Sequence, residues 1–405
     1  MQKMKIKNIK STFLLVYLVC VFNLFYLTPV SVFSDVFLLF FSFLGLISLL
    51  KAKYFFGKRT FGIVFSIIAL WSISVFSSML NRNQDFFSAI IAAQNIFKCF
   101  SVFYFFDWIV KEKVDLNAVL RKLNKIIYFY VLLIVYMSLS KSTFVFTSPL
   151  SGNELLVSAA KMDKSIIFFA VIHYLVKFFI QGGIWSLFLS FTFFLSTQLY
   201  DIQRGDIIFI FLLALIIWYT YRQFYGGNLT LLFLPLFSIV FILILGSVDY
   251  TLVSQKFGQM MLLFEANDSS KISDPSIFVR LSEWDYAKKG FLEHPVFGNG
   301  LIRASQQVKL LDVDYFYPSD VGLMGILYCF GLIGIFIFLY LSFRVFKSRP
   351  DKNLVLLSSI FYFCIFLIIS SFKDGSVLYF PALLVFLLVI LLFKKKHAII
   401  SKEES

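Results

Sequence analysis

The chain alternates long apolar runs with short polar links, and that alternation leaves few folds open to it. A helix that crosses a bilayer needs about 20 largely apolar residues, because hydrocarbon offers no partner to an exposed peptide group. Twelve runs approach this length: 11–29, 32–50, 60–80, 88–110, 126–140, 165–180, 184–200, 207–221, 228–248, 319–343, 353–371 and 377–393. Those at 126–140, 165–180 and 207–221 are short for a span. With 60% hydrophobic and only 15% charged residues, the chain cannot cover itself with charge as a water-soluble globule does. The expected fold is an all-α polytopic membrane protein of about 12 transmembrane helices. The 55 Phe are spread through every apolar run and read as lipid-facing filler. The first run follows MQKMKIKNIK, lacks a small-residue cleavage site and is followed at once by another span. It reads as a retained first helix, not a signal peptide.

Lys and Arg in short loops are held on the cytoplasmic side. With the N-terminus inside, 23 of the 37 Lys and Arg fall in inner segments and six in short outer loops. N-terminus and C-terminus are therefore both expected in the cytoplasm. The organisation that follows is nine helices over 1–248, a large outer loop over 249–318, three more helices over 319–393 and a cytoplasmic tail over 394–405. The net charge of +14 is explained by this topology and by contact with membrane lipids, and calls for no nucleic-acid partner. Segment 111–125 (KEKVDLNAVLRKLNK) reads as an interfacial helix against anionic lipid.

Several chemistries find no support. Cys20, Cys99, Cys329 and Cys364 sit inside apolar runs without paired spacing, which suggests neither a disulfide framework nor a thiolate metal site. Three histidines without a zinc-binding pattern make a structural zinc unexpected, and Asp312 and Asp314 are a weak acidic pair. No cofactor is implied. No Walker loop, internal repeat or matched pair of interrupted helices is visible, which weakens ATP-driven and secondary transport. Lys98 lies within a span, where an ionisable group is costly; it reads as a helix-packing partner for Asp107 or a polar side chain.

The outer segments carry the polar chemistry. DIQRGD at 201–206 is a tight turn between two spans, and KSTFVFTSPLSGNELLVSAAKMDK at 141–164 has a composition suited to covering a site. The long loop contains FVRLSEWDYAKKG at 278–290, in which Leu281, Trp284 and Ala287 recur at helical steps on one face. HPVFGNG at 294–300 then ends the helix in a turn whose glycines can approach a ligand closely.

The order Arg280, Trp284, HPVFGNG and then GLIG at 331–334 in the next span resembles the bacterial O-antigen polymerase and ligase superfamily. Many of its members carry an R-x-x-x-W helix and a P-[LIV]-x-G-x-G turn in a large periplasmic loop. Gln203-Arg204-Gly205 is similar to the family's S-R-G/A element. Ligases of the superfamily place a His-Asn pair at the outer end of the following span, whereas this chain has YPSDVGLMG at 317–325, with Ser319-Asp320 at that place. That departure favours a Wzy-type repeat-unit polymerase over a ligase. A polysaccharide flippase is a second alternative, weakened by the seventy-residue outer loop and the few charges inside the spans.

The resemblance implies a GT-C-like glycosyltransferase of the bacterial inner membrane, acting on its periplasmic face. It takes an undecaprenyl diphosphate-linked oligosaccharide as donor and has a chain-length regulator as a further partner. A departing diphosphate gathers negative charge, which forked guanidinium donors suit; Arg204, Arg280 and Arg303 are the candidates. An acceptor hydroxyl gains from a positioned proton acceptor, and Asp320 or His294 can serve, Asp320 chiefly by positioning the acceptor. Each has a structural rival: Arg204 anchoring its turn through Asp201 or Asp206, Arg280 paired with Glu283 on a surface helix, His294 as a turn former before Pro295, and Asp320 as an N-cap.

Overall fold

A computed structural model describes residues 2–22, 31–51, 58–110, 116–140, 144–147, 154–157, 165–198, 204–221, 275–303, 316–348, 355–372 and 387. The chain folds as helices α1 (Gln2–Val21), α2 (Ser31–Lys51), α3 (Lys58–Arg82), α4 (Phe86–Phe97), α5 (Ser101–Val110) and α6 (Leu116–Ser140), then strands β1 (Phe144–Thr147) and β2 (Glu154–Val157). Helices α7 (Ser165–Gln181), α8 (Ile184–Gln198), α9 (Arg204–Tyr221), α10 (Pro275–Glu293), α11 (Leu323–Phe346) and α12 (Val355–Ser370) follow.

Four of these segments are long and apolar enough to cross a membrane: Phe33–Leu50, Phe61–Arg82, Phe86–Phe106 and Leu323–Phe346. Shorter apolar helices cover Ile9–Val21, Ser165–Gln181, Ile184–Ser196, Ile208–Tyr221 and Val355–Ser370. The run at 228–248 and all of 377–393 except Leu387 lie outside the described residues.

Three local expectations change. The helical fold carries one short hairpin: β1 and β2 pair antiparallel, Phe144 opposite Val157 and Thr147 opposite Glu154, within the segment expected to cover a site. The separate interfacial helix also gives way. From Leu116 onward its residues are continuous with the next span as the 25-residue α6, because Val119, Leu123 and Ile127 at helical steps are all buried. Finally, phenylalanine is not only lipid-facing filler. Phe33, Phe40, Phe61 and Phe65 are exposed, but Phe103, Phe105, Phe179 and Phe363 are fully buried, and Tyr17 stacks on Phe105 at 4.1 Å between centroids.

Lys98 shows how an ionisable group is accommodated within the helices. It opens a 3-10 turn, Lys98–Phe100, that joins α4 to α5. Its side chain is 1% exposed, and its ammonium donates to Asp35 Oδ1 at 2.7 Å and Asn95 Oδ1 at 2.8 Å. The carbonyl of the same residue accepts from Ser42 Oγ and Ser101 Oγ at 3.0 and 2.7 Å. Charge and irregular backbone are thus satisfied at one point, as an apolar surrounding requires.

Candidate functional site

Helix α10 is the polar element that the site is built on. Pro275 opens it, in the first-turn position where its missing N–H costs nothing. The face it buries shares Ala287 with the expected one but is turned away from Trp284. Glu283, Ala287 and Gly290, at steps of four and three, turn inward, while Trp284 stays 40% exposed with the Lys288 ammonium 5.4 Å from its ring centre. Small residues at 287 and 290 let α10 pack closely on α11: a Cβ on Gly290 would lie 2.6 Å from the Tyr328 ring. Tyr286, Phe316 and Tyr328 form an aromatic cluster beside this contact, with centroids 4.8 to 5.9 Å apart.

The glycines of HPVFGNG approach backbone, not ligand. Helix α11 is broken at Gly331, which stands at φ 61°, ψ −158°, and the turn fills the break. Asn299 N–H and Gly300 N–H donate to the carbonyls of Tyr328 and Cys329 at 2.7 and 2.8 Å, and Leu332 N–H and Ile333 N–H donate to the carbonyls of Pro295 and Val296 at 2.9 and 3.3 Å. Four peptide groups that a continuous helix would have paired internally are paired with the turn instead. Gly298 has φ +70°, and a Cβ on it would meet the backbone of Cys329, Phe330 and Gly331 at 2.6 Å. Helix α3 holds the other side of the turn, Asn81 Nδ2 donating to Gly298 O at 2.8 Å and Leu301 N–H donating to Ser74 Oγ at 3.2 Å.

Glu283 joins α10 to the start of α11. Only 3% exposed, it accepts from Tyr317 N–H at 3.0 Å. This anchors the 3-10 turn Pro318–Val321 against the helix that carries Arg280. Burial pushes the Glu283 carboxyl above the ordinary carboxylate range and the charge of Asp320 adds to this, while the Tyr317 amide and the Arg280 guanidinium act against it. Arg280 and Asp320 therefore both lie within electrostatic reach of one buried carboxyl. Asp320 is exposed, and its carboxylate accepts from Ser319 Oγ at 3.2 Å. It does not cap α11, whose N-cap is Gly322.

The raised carboxyl sets a pH dependence. Folding favours protonated Glu283, so its contribution to stability is greatest at acid pH and is lost as the pH rises through the raised native value. Glu283→Gln stays neutral and still accepts from Tyr317 N–H. Thermal unfolding of the purified variant is expected to change less than wild type as the pH rises from below the ordinary carboxylate range to above the raised Glu283 value. Glu283→Ala leaves that amide without its acceptor and is expected to cost about 1–2 kcal/mol.

The five expected site residues divide as follows. Arg280 and Asp320 both lie within electrostatic reach of Glu283. His294 sits at the head of the glycine turn, its N–H donating to the carbonyls of Gly290 and Phe291 and its own carbonyl accepting from Gly298 N–H, which fits a turn former. Arg303 leaves the other end of that turn, its N–H donating to Gln84 Oε1 at 3.1 Å and its side chain exposed. Arg204 is the first residue of α9, a helix that packs on α7 and α12. Residues 201–203, Asp312 and Asp314 lie outside the described residues. Glu283 was the missed member, and the available signal was its step of four residues from Ala287, on the face that the small side chains bury.

Residues 186–339 match the family model described as O-Antigen ligase. The match supports membership of the O-antigen polymerase–ligase superfamily. The match runs from α8 into α11 and includes all five expected site residues and Glu283. No curated protein matches the chain. Members of the superfamily are membrane glycosyltransferase-like enzymes, and the apolar helices described above are those of an α-helical membrane protein.

Proposed function

We propose that the chain is an oligosaccharide repeat-unit polymerase of the bacterial inner membrane. It transfers a growing glycan from undecaprenyl diphosphate to the non-reducing end of another lipid-linked repeat unit, for an O-antigen, a capsule or an exopolysaccharide. The observation that carries this reading is the anchoring of the Ser319-Asp320 turn to the Arg280 helix through Glu283. In this reading a guanidinium and an exposed carboxylate serve one site, and the two halves of a glycosyl transfer need that pair. The acceptor hydroxyl oxygen bonds to the anomeric carbon of the donor's reducing-end sugar. The bond from that carbon to the diphosphate oxygen breaks, and the electron pair leaves with undecaprenyl diphosphate. Arg280 stabilises the charge that develops on the leaving group. Asp320 orients the acceptor hydroxyl and is placed to receive its proton. Arg303 and Arg204 are further diphosphate contacts, and His294 an alternative proton acceptor, in this reading. Both termini are assigned to the cytoplasm and the site to the periplasmic face, with a chain-length regulator as partner.

The description of the matched family favours a second reading, a ligase that passes the finished glycan to a different acceptor. The two separate in one experiment. Purified protein supplied only with undecaprenyl diphosphate-linked repeat units is expected to produce glycans two or more units long. A ligase leaves the units unjoined until a lipid-core acceptor is added, and that outcome would replace the polymerase reading.

A further inference from the structure

The end of α3 holds two side chains whose buried donors meet no acceptor among the described residues. Arg82 is the final residue of the helix. Asn83 follows at φ 52°, the left-handed residue with which many helices close, and Gln84 N–H reaches back 3.2 Å to Ser78 O. This ending sets the Arg82 guanidinium 5.5 Å from the centre of the Tyr328 ring. Gly290 makes the room, since a Cβ there would come within 3.1 Å of Arg82 Nη2.

The ring satisfies only the face of the guanidinium. Arg82 Nε is buried without a hydrogen-bond partner, and among the described residues no carboxylate pairs with this arginine. Gln84 is 3% exposed. Its Oε1 accepts from Arg303 N–H at 3.1 Å, which fixes the orientation of the amide, and its Nε2 is buried with no acceptor. Buried donors without acceptors are uncommon in native folds and call for an explanation. A group that only accepts and carries negative charge suits each of these donors, and phosphate oxygens are such acceptors. The location agrees. Gly290 lies two turns along α10 from Glu283, about 10 Å at helical rise, and the Tyr286, Phe316 and Tyr328 rings pack on one another beside it.

We infer that Arg82 and Gln84 form a phosphate subsite that receives the diphosphate of the lipid-linked substrate. This deepens the polymerase reading and rests on it. Arg82 supplies the charge and the fork, Gln84 the second donor, and Arg303 is tied to the subsite through its own peptide N–H.

The test uses the purified full-length protein in detergent with undecaprenyl diphosphate as the probe and phosphatidylglycerol as the comparison. Arg82→Gln is expected to weaken binding of the diphosphate by about 10- to 100-fold, the range for a hydrogen bond to a charged group, with an unchanged unfolding temperature. Arg82→Lys, which keeps charge and loses the fork, is expected to fall between. Gln84→Glu preserves the acceptor for Arg303 N–H and replaces the amide donor with an anionic oxygen. It is expected to weaken binding as well, and serves if Arg82→Gln does not fold. Wild-type affinity in both Arg82→Gln and Gln84→Glu overturns the subsite and leaves the polymerase reading standing. Equal affinity for phosphatidylglycerol, lost in the same variants, overturns the assignment to substrate and makes this a lipid headgroup site. Failure of the wild type to bind undecaprenyl diphosphate overturns the polymerase reading, and the subsite with it.

Discussion

Cells carrying Arg280→Ala are expected to hold the protein at its normal level and to show single repeat units where wild type shows a full glycan ladder. The side chain is exposed on α10, so its removal opens no cavity, and a surface change of this kind alters stability by about 0.5 kcal/mol or less. The loss falls on the reaction. A preorganised donor aimed at developing charge contributes about 100- to 1,000-fold to rate, enough to erase a ladder that depends on many successive transfers. Arg280→Lys keeps the charge without the planar fork and is expected to give a short ladder. The measurement is a gel of the glycan beside an immunoblot of the protein. An unchanged ladder in Arg280→Ala removes this residue from the mechanism, and a full ladder in a null strain removes the polymerase assignment.

Gly298→Ala is expected to abolish the fold. The new Cβ would lie 2.6 Å from three backbone atoms of residues 329–331, and the position has φ +70°. Backbone cannot swing aside as the end of a side chain can, so the turn must leave the break in α11 and expose the peptide groups it pairs. A loss above about 4 kcal/mol belongs to this class of change. The variant is expected to fall to background on an immunoblot of membranes. Gly183→Ala supplies the contrast: φ is +93° there too, but nothing lies within 4 Å of the added atom. Only the conformational cost remains, and that variant is expected to accumulate. Equal levels of the two would show that the turn is not held against α11 as described.

The sequence made the helical membrane character legible because apolar runs are long and the requirement for internal hydrogen bonding is absolute in hydrocarbon. The order of motifs also led from the Arg280 helix to the Ser319-Asp320 turn, two elements that the Tyr317 N–H to Glu283 bond links. What it concealed has physical reasons. Glu283 sits among charged residues on a helix that reads as surface, and only the packing of Ala287 and Gly290 on α11 decides that its face is the buried one. Trp284 reads as an anchor by its size, yet faces outward for the same reason. The glycines of HPVFGNG permit close approach, but a glycine does not state what approaches. Gly331 within GLIG looks like one more small residue in a span, and nothing local says that its helix is interrupted. Lys98 reveals that it needs a partner, and the sequence distance to Asp35 hides which one.

The interrupted helix has a consequence for the order in which the protein is made. Residues 294–300 leave the ribosome before α11, the helix they complete, and that helix enters the bilayer with a gap at Gly331 that only the earlier segment can close. Insertion and folding are therefore not separable steps for this span. Until the turn arrives, α11 is two short rods with bare peptide ends, the sort of unfinished segment that membrane proteases and chaperones recognise. A chain damaged at the turn would be removed before it ever met a substrate, so the same seven residues that buttress the site also decide whether the cell keeps the protein.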